Sequence, residues 1–243
     1  MFHREVPRET SLRYACRMPD AQTELRELLE SAAPVALSAI EADRLVRFVL
    51  LLAGAPLNVT ATRGAAALLE RHVIDALRGL GPVDAAPDGP LIDVGSGGGS
   101  PGIVLGIVRP QRELHLVESV GRKAAFLRTL ADELGVAARV HPERSELLAA
   151  GPLRDSAACV TARALAPPPV AIELCAPLVR PGGRLVLWSR APTDAPILAT
   201  AQALACSRLE AGGDHLVFEK QGPTPAAFPR RPGMAAKRPL ARG

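Results

Sequence analysis

The stretch Leu91 to Gly102, LIDVGSGGGSPG, constrains this chain more than any other. An apolar run ending at Asp93-Val94 breaks into Gly95, Gly97, Gly98 and Gly99, which reads as a buried strand feeding a glycine-rich turn. Pro101 suits the first turn of a following helix, where its missing N–H is no loss. Glycines let the backbone pass close beneath a ligand, and the helix N-terminus behind them offers unpaired N–H groups. The turn is therefore expected to carry something nucleotide-like.

The rest of the pattern builds a scaffold around that turn. Strands are expected at 91–94, 114–118, 137–141, 157–162, 184–189, 207–211 and 214–219, with helices at 101–109, 122–134, 169–179 and 194–205. This alternation implies a mostly parallel sheet covered on both faces. Ala211-Gly212-Gly213 joins the last two strands as an antiparallel hairpin. Three helices precede the first strand: one at 20–33, one opened by the capping box Ser38/Glu41 and stopped by Gly54 and Pro56, and one over 65–80. The expected fold class is α/β, a Rossmann-like seven-stranded sheet with a closing hairpin, preceded by N-terminal helices. The expected divisions are a flexible segment 1–20, a helical region 21–82, a cofactor-binding domain 83–220 and a basic tail 221–243.

With 243 residues and 48% hydrophobic content the chain can bury one substantial core. The net charge of +4 suits a polyanionic partner, but only Lys123, Lys220 and Lys237 are lysines, and a GC-rich coding sequence would also favour arginine. Cys16, Cys159, Cys175 and Cys206 lie far apart with no C-x-x-C pair, which argues against a zinc site and a disulfide framework. No secretory or membrane-spanning run is evident, so a cytoplasmic protein with no membrane and no metal is expected.

Gly97 to Gly102 formally satisfies G-x-G-x-x-G, which admits a nicotinamide or flavin dinucleotide. The register favours a different ligand. Asp93 precedes the first glycine, and Glu118 ends the next strand, where an acid accepts hydrogen bonds from ribose hydroxyls in either cofactor class. Asp93-Val94-Gly95-Ser96-Gly97-Gly98-Gly99 resembles the class I S-adenosylmethionine-dependent methyltransferases. That resemblance, with the closing hairpin, makes S-adenosyl-L-methionine the expected cofactor.

The acceptor is read from the segment after the fourth strand. TARALAPPPV has Ala166 and Val170 flanking its prolines, where amine-modifying enzymes carry an Asn/Asp and an aromatic ring. Cys159 has no Pro-Cys motif beside it, which leaves a covalent pyrimidine mechanism poorly supported. An acceptor that is already nucleophilic fits better. Guanine N7 is one, having a free lone pair and no proton to remove.

Several segments then carry a specific resemblance: NVTATRGAAALLERHVIDAL, DVGSGGGSPGIVLGIVRP, LVESVGRKAAFLRTL, CVTARAL and FPRRPGMAAKRPL. In order, from Asn58 to Leu240, they look like the bacterial glucose-inhibited division B family of 16S ribosomal RNA guanine-N7 methyltransferases. The resemblance implies that Gly95, Gly97 and Ser100 line the cofactor turn, that Ser145 and Glu146 reach the adenine, and that Arg163 closes the cofactor site. It implies that Asn58, Thr60, Arg63, His72 and Asp75 border the target guanine, with Asn58, His72, Asp75 and Arg163 as the catalytic set. It also gives Arg144 a contact with RNA. The acid-free tail adds Arg230 and Arg231 as candidate RNA contacts. The implied partner is 16S ribosomal RNA or the small ribosomal subunit, bound by a monomer. Ser100 stands where the family usually has a large apolar residue, LAGAPL lacks its usual Trp-Asn pair, and Ser189-Arg190 replaces a frequent Lys-Gly.

His72 falls near the apolar stripe of its helix, so a packing role competes with a functional one; Asp75, one turn on, is placed to orient its ring. Two other functions stay open on the sequence: methylation of a small molecule, and a non-catalytic RNA-binding or assembly module that keeps the fold.

Overall fold

The computed structural model describes residues 19–55, 60–192, 194–209 and 214–241. The segment 1–18 and Asn58 lie outside the described residues, as does the centre of the predicted hairpin turn. Helix α1 (Pro19–Ala32) leads into α2 (Ala39–Ala53), whose start is fixed by the expected capping box: Ser38 Oγ accepts from Glu41 N, and Glu41 Oε2 accepts from Ser38 N at 2.7 Å. The helix expected over 65–80 is divided. It runs as α3 (Ala65–Leu68), a π-helical stretch Leu69–Ile74, α4 (Asp75–Arg78) and α5 (Leu80–Asp84).

Strands β1 (Leu91–Val94), β2 (Leu114–Val117), β3 (Ala138–His141), β4 (Ala157–Arg163), β5 (Val179–Trp188), β6 (Cys206–Leu209) and β7 (His215–Lys220) form one seven-stranded sheet in the order β3-β2-β1-β4-β5-β7-β6. The first five are parallel, and β7 runs antiparallel to both β5 and β6. The expected fold class is thus observed. β5 starts earlier than the 184–189 predicted, because its first residues, VRPGG, are not apolar enough to read as strand yet pair Val179 with Ala157 across a register shift.

Strand alternation divides the core into two layers. Leu91, Leu114, Leu116 and Val186 face a cluster built with α1, α2, the π-helical stretch, α6 (Gly102–Val108) and α7 (Gly121–Leu134). Ile92, Val117, Val160 and Leu187 face the cluster of α8 (Ser145–Ala149), α9 (Pro168–Cys175) and α10 (Ala195–Ala203), which Phe228 of the tail also enters. The N-terminal helices therefore share the sheet's own core. A last short helix, α11 (Met234–Lys237), lies in the tail.

Register decides where a ligand can sit. Val94 pairs with Val117 and with Ala162, and Val117 with His141, so the carboxyl ends of these strands share one edge. β1 has β2 on one side and β4 on the other, so the chain leaves it in one direction and returns on the other side. That switch point opens a crevice beyond the strand ends.

Candidate active site

The crevice is a cleft of about 1220 Å³. Its cofactor-like side is built by the glycine turn. Gly95 has φ +74°, a backbone conformation that favours glycine, and it lies directly under Leu165, whose Cδ1 would be 2.6 Å from a Cβ there. The buried Glu118 is held by two backbone donors, Gly97 N to Oε2 at 3.0 Å and Val120 N to Oε1 at 2.8 Å. A carboxylate fixed this way keeps lone pairs for a vicinal diol. Gly95, Gly97, Ser100, Glu118, Ser145, Glu146 and Arg163 all line the cleft, so the residues predicted around the cofactor are brought together.

Asp93 does not line the cleft. Its Oδ2 accepts from Gly102 N at 3.2 Å and its Oδ1 from the Thr161 hydroxyl at 2.8 Å. Complete burial pushes its carboxyl up to about 6, against the lowering effect of those donors. The acid before the glycines thus fixes the start of α6 beneath the turn. Gly102 permits that approach, because a Cβ there would fall 2.5 Å from Leu116 Cδ2.

The facing wall is the π-helical stretch. Asp75 N reaches back five residues to Glu70 O, which widens the coil, and the carbonyls of Arg71 and His72 each accept a side-chain donor from the sheet side. Arg163 at the end of β4 donates to Arg71 O, to Asp75 Oδ2 at 3.1 Å and to His72 Nδ1 at 2.6 Å. Arginine has no acceptor, so His72 Nδ1 must be the acceptor, and Nε2–H donates to Thr60 Oγ1 at 2.9 Å. Burial, then the charges of Arg163 and Arg71, lower the His72 pKa to about 4. His72 is buried, as a packing histidine would be, yet both ring nitrogens hold polar partners. Its ring is oriented by Arg163 and Thr60; Asp75, expected to do so, is paired with Arg163 instead.

A family model described as rRNA small subunit methyltransferase G matches residues 41–210. The chain belongs to this family. The ribosomal RNA small subunit methyltransferase G of Chloroflexus aggregans is 38% identical over 198 residues, covering 75% of this chain and 82% of that protein. The protein of the same name from Rubrobacter xylanophilus is 38% identical over 224 residues, covering 82% and 84%. Among solved structures, the antibiotic-resistance methyltransferase Kmr aligns at 18% identity with a TM-score of 0.45, covering 59% of this chain and 91% of that one.

In this member of the methyltransferase G family, Arg63 and Arg144 line the cleft, whereas Arg230 and Arg231 do not. Arg230 is committed elsewhere. Its guanidinium grips Glu173 with Nε to Oε1 at 2.6 Å and Nη2 to Oε2 at 2.5 Å, and also donates to Arg238 O, so it is held by partners within the chain. Arg154 donates to Phe228 O and Thr224 O, and Gly233 N donates to Glu146 Oε1 at 2.9 Å, so the tail packs from α9 to the edge of the cleft. Burial pushes the Cys159 thiol up to about 12, which removes it as a nucleophile.

Sequence reasoning missed Arg71, Arg78, Lys123 and Trp188 as cleft residues. Arg71 and Lys123 stood beside flagged motifs, in ERHVID and ESVGRK, and proximity to His72 and Glu118 was a usable signal. Trp188 carried none, because its indole N–H finds Asp75 O at 2.9 Å only through the tertiary fold.

Proposed function

We propose that the chain methylates guanine N7 of 16S ribosomal RNA, using S-adenosyl-L-methionine. The observation that carries this reading is Arg163, which reaches from the end of strand β4 on the cofactor side to His72 and Asp75. It joins the wall expected to hold the cofactor to the wall expected to hold the base. The residues present fit the cofactor: Glu118 for the ribose, Gly95 and Gly97 for close backbone approach, Ser145 and Glu146 on the adenine side.

Bound in that turn, S-adenosylmethionine supplies an electrophilic methyl group. Guanine N7 has no proton to lose, so this site needs no general base. His72, kept neutral by burial and by Arg163, has its Nδ1 lone pair taken by that guanidinium, in agreement with this, and its work is to orient the base together with Thr60. Asn58, two positions before Thr60 in the sequence, belongs to the same proposed base-binding set. Arg63, Arg71, Lys123 and Arg144 around the cleft suit phosphate groups, while Arg78 and Arg190 there are paired with Glu70 and Asp214. A base extruded from an RNA loop enters more easily than one from a duplex.

A monomer in the cytoplasm, acting on the small ribosomal subunit, completes the proposal. No described helix is long and apolar enough to cross a membrane, and the three described cysteines are buried thiols.

The test is incubation with radiolabelled S-adenosylmethionine and naked rRNA, small subunits or assembled ribosomes, followed by mapping of the labelled base. Label at guanine N7 is expected, with Arg163→Ala lowering kcat/KM by about 100-fold through lost positioning. Label on another atom, or no transfer to any RNA while cofactor still binds, overturns the assignment. Full transfer by Arg163→Ala overturns the site.

A further inference from the structure

Ser100 lies in the glycine turn, yet its hydroxyl does not end there. Oγ donates to His72 O at 2.7 Å, and the side chain is buried. His72 belongs to the π-helical stretch, whose ring nitrogens meet Thr60 and Arg163. Two side chains from the sheet side thus hold adjacent carbonyls of one turn: Arg163 on Arg71 O, Ser100 on His72 O. They differ in origin. Arg163 comes from β4, whereas Ser100 sits within the turn that passes under the cofactor, directly before Pro101 and the start of α6.

We infer that Ser100 is a positioning residue that couples the cofactor turn to the wall on which the acceptor base is oriented. A displacement of the turn on cofactor binding is transmitted through this one hydrogen bond to the backbone of His72. Asp93 fixes α6 to β4 and Glu118 fixes Gly97 beside β2, both within the sheet layer, so among the polar contacts of the glycine turn it is Ser100 that reaches the backbone of the π-helical stretch. A large apolar residue at this position would fill space but could not hold a carbonyl. The inference rests on the methyltransferase reading, on its cofactor for the fluorescence arm and on methyl transfer for the kinetic arm.

Trp188 makes the coupling measurable, being the single tryptophan of the chain and bonded through its indole to Asp75 O on the same wall. Saturating wild-type protein with S-adenosylhomocysteine is expected to shift Trp188 emission. Ser100→Ala is expected to bind that ligand within about threefold of wild type, lose most of the emission shift, and lower kcat about five- to tenfold, as the loss of one hydrogen bond allows. Ser100→Thr, which returns the hydroxyl, is expected to recover both. A wild-type emission that ignores bound ligand, or an Ala variant that keeps shift and kcat, overturns the coupling. So does a variant whose ligand affinity falls as far as its kcat, since Ser100 would then serve the cofactor alone. If wild-type protein transfers no methyl group, the function assigned above fails, and the fluorescence arm still decides the role of Ser100.

Discussion

At the scale of single residues, the site depends on which partner each polar atom finds. A histidine and an aspartate one helical turn apart suggest a pair, but Arg163 reaches between them and takes both. The consequence is a neutral imidazole. Its folded pKa, about 4, lies below the unfolded value of 6.5, so the stability it contributes is complete above pH 6.5 and is lost as pH falls towards 4. NMR titration of the His72 ring should give a midpoint near 4, and the pH profile of methyl transfer between 6 and 8 should carry no inflection from it. A midpoint near 6.5 would mean that the ring is neither buried nor held at Nδ1 by Arg163. The resemblance implies Thr60 beside the base, yet which ring atom it meets depends on a fold that brings residues twelve apart into contact.

At the scale of elements, most of the chain was legible because periodicity and punctuation agreed. The capping box at Ser38, the glycine turn after β1 and the alternation of strand and helix each set a boundary that the structure keeps. The stretch Leu69–Ile74 was not legible as π-helical: its apolar spacing suits an ordinary helix, and the extra width is stabilised by donors from Ser100 and Arg163. The acid of the turn belongs to this scale as well, since Asp93 joins β1, β4 and α6. Its pKa is raised to about 6, so the stability it contributes is full below about 3.8 and lost as pH rises through 6. Thermal denaturation of Asp93→Asn should therefore show a Tm that drops relative to wild type as the buffer is taken from pH 7 to pH 4. A constant difference across that range would mean that Asp93 titrates as an exposed carboxylate does.

At the scale of the molecule, the C-terminal tail is part of the packed structure. Glu173 keeps only 4% of its side chain exposed and is neutralised by Arg230. Removing that partner leaves a buried charge, which costs about 3 kcal/mol. Arg230→Ala should accordingly lower the melting temperature while leaving the salt dependence of RNA binding unchanged. Arg144→Ala, on the exposed rim of the cleft, should do the reverse, reducing the slope of log affinity against log salt by about one. A flatter salt dependence in Arg230→Ala would return that arginine to the RNA surface.

The sequence by itself determined the order of elements, the sheet and its closing strands, the glycine turn with Glu118 beside it, and the family, because these rest on local spacing and on residue types whose backbone demands are their own. Only the tertiary structure decided that Arg163 takes both His72 and Asp75, that Ser100 faces His72 rather than the cleft alone, and that Arg230 turns inward to Glu173. Those outcomes depend on which of several competing donors lies within three ångströms of an acceptor, a distance that no spacing along the chain encodes.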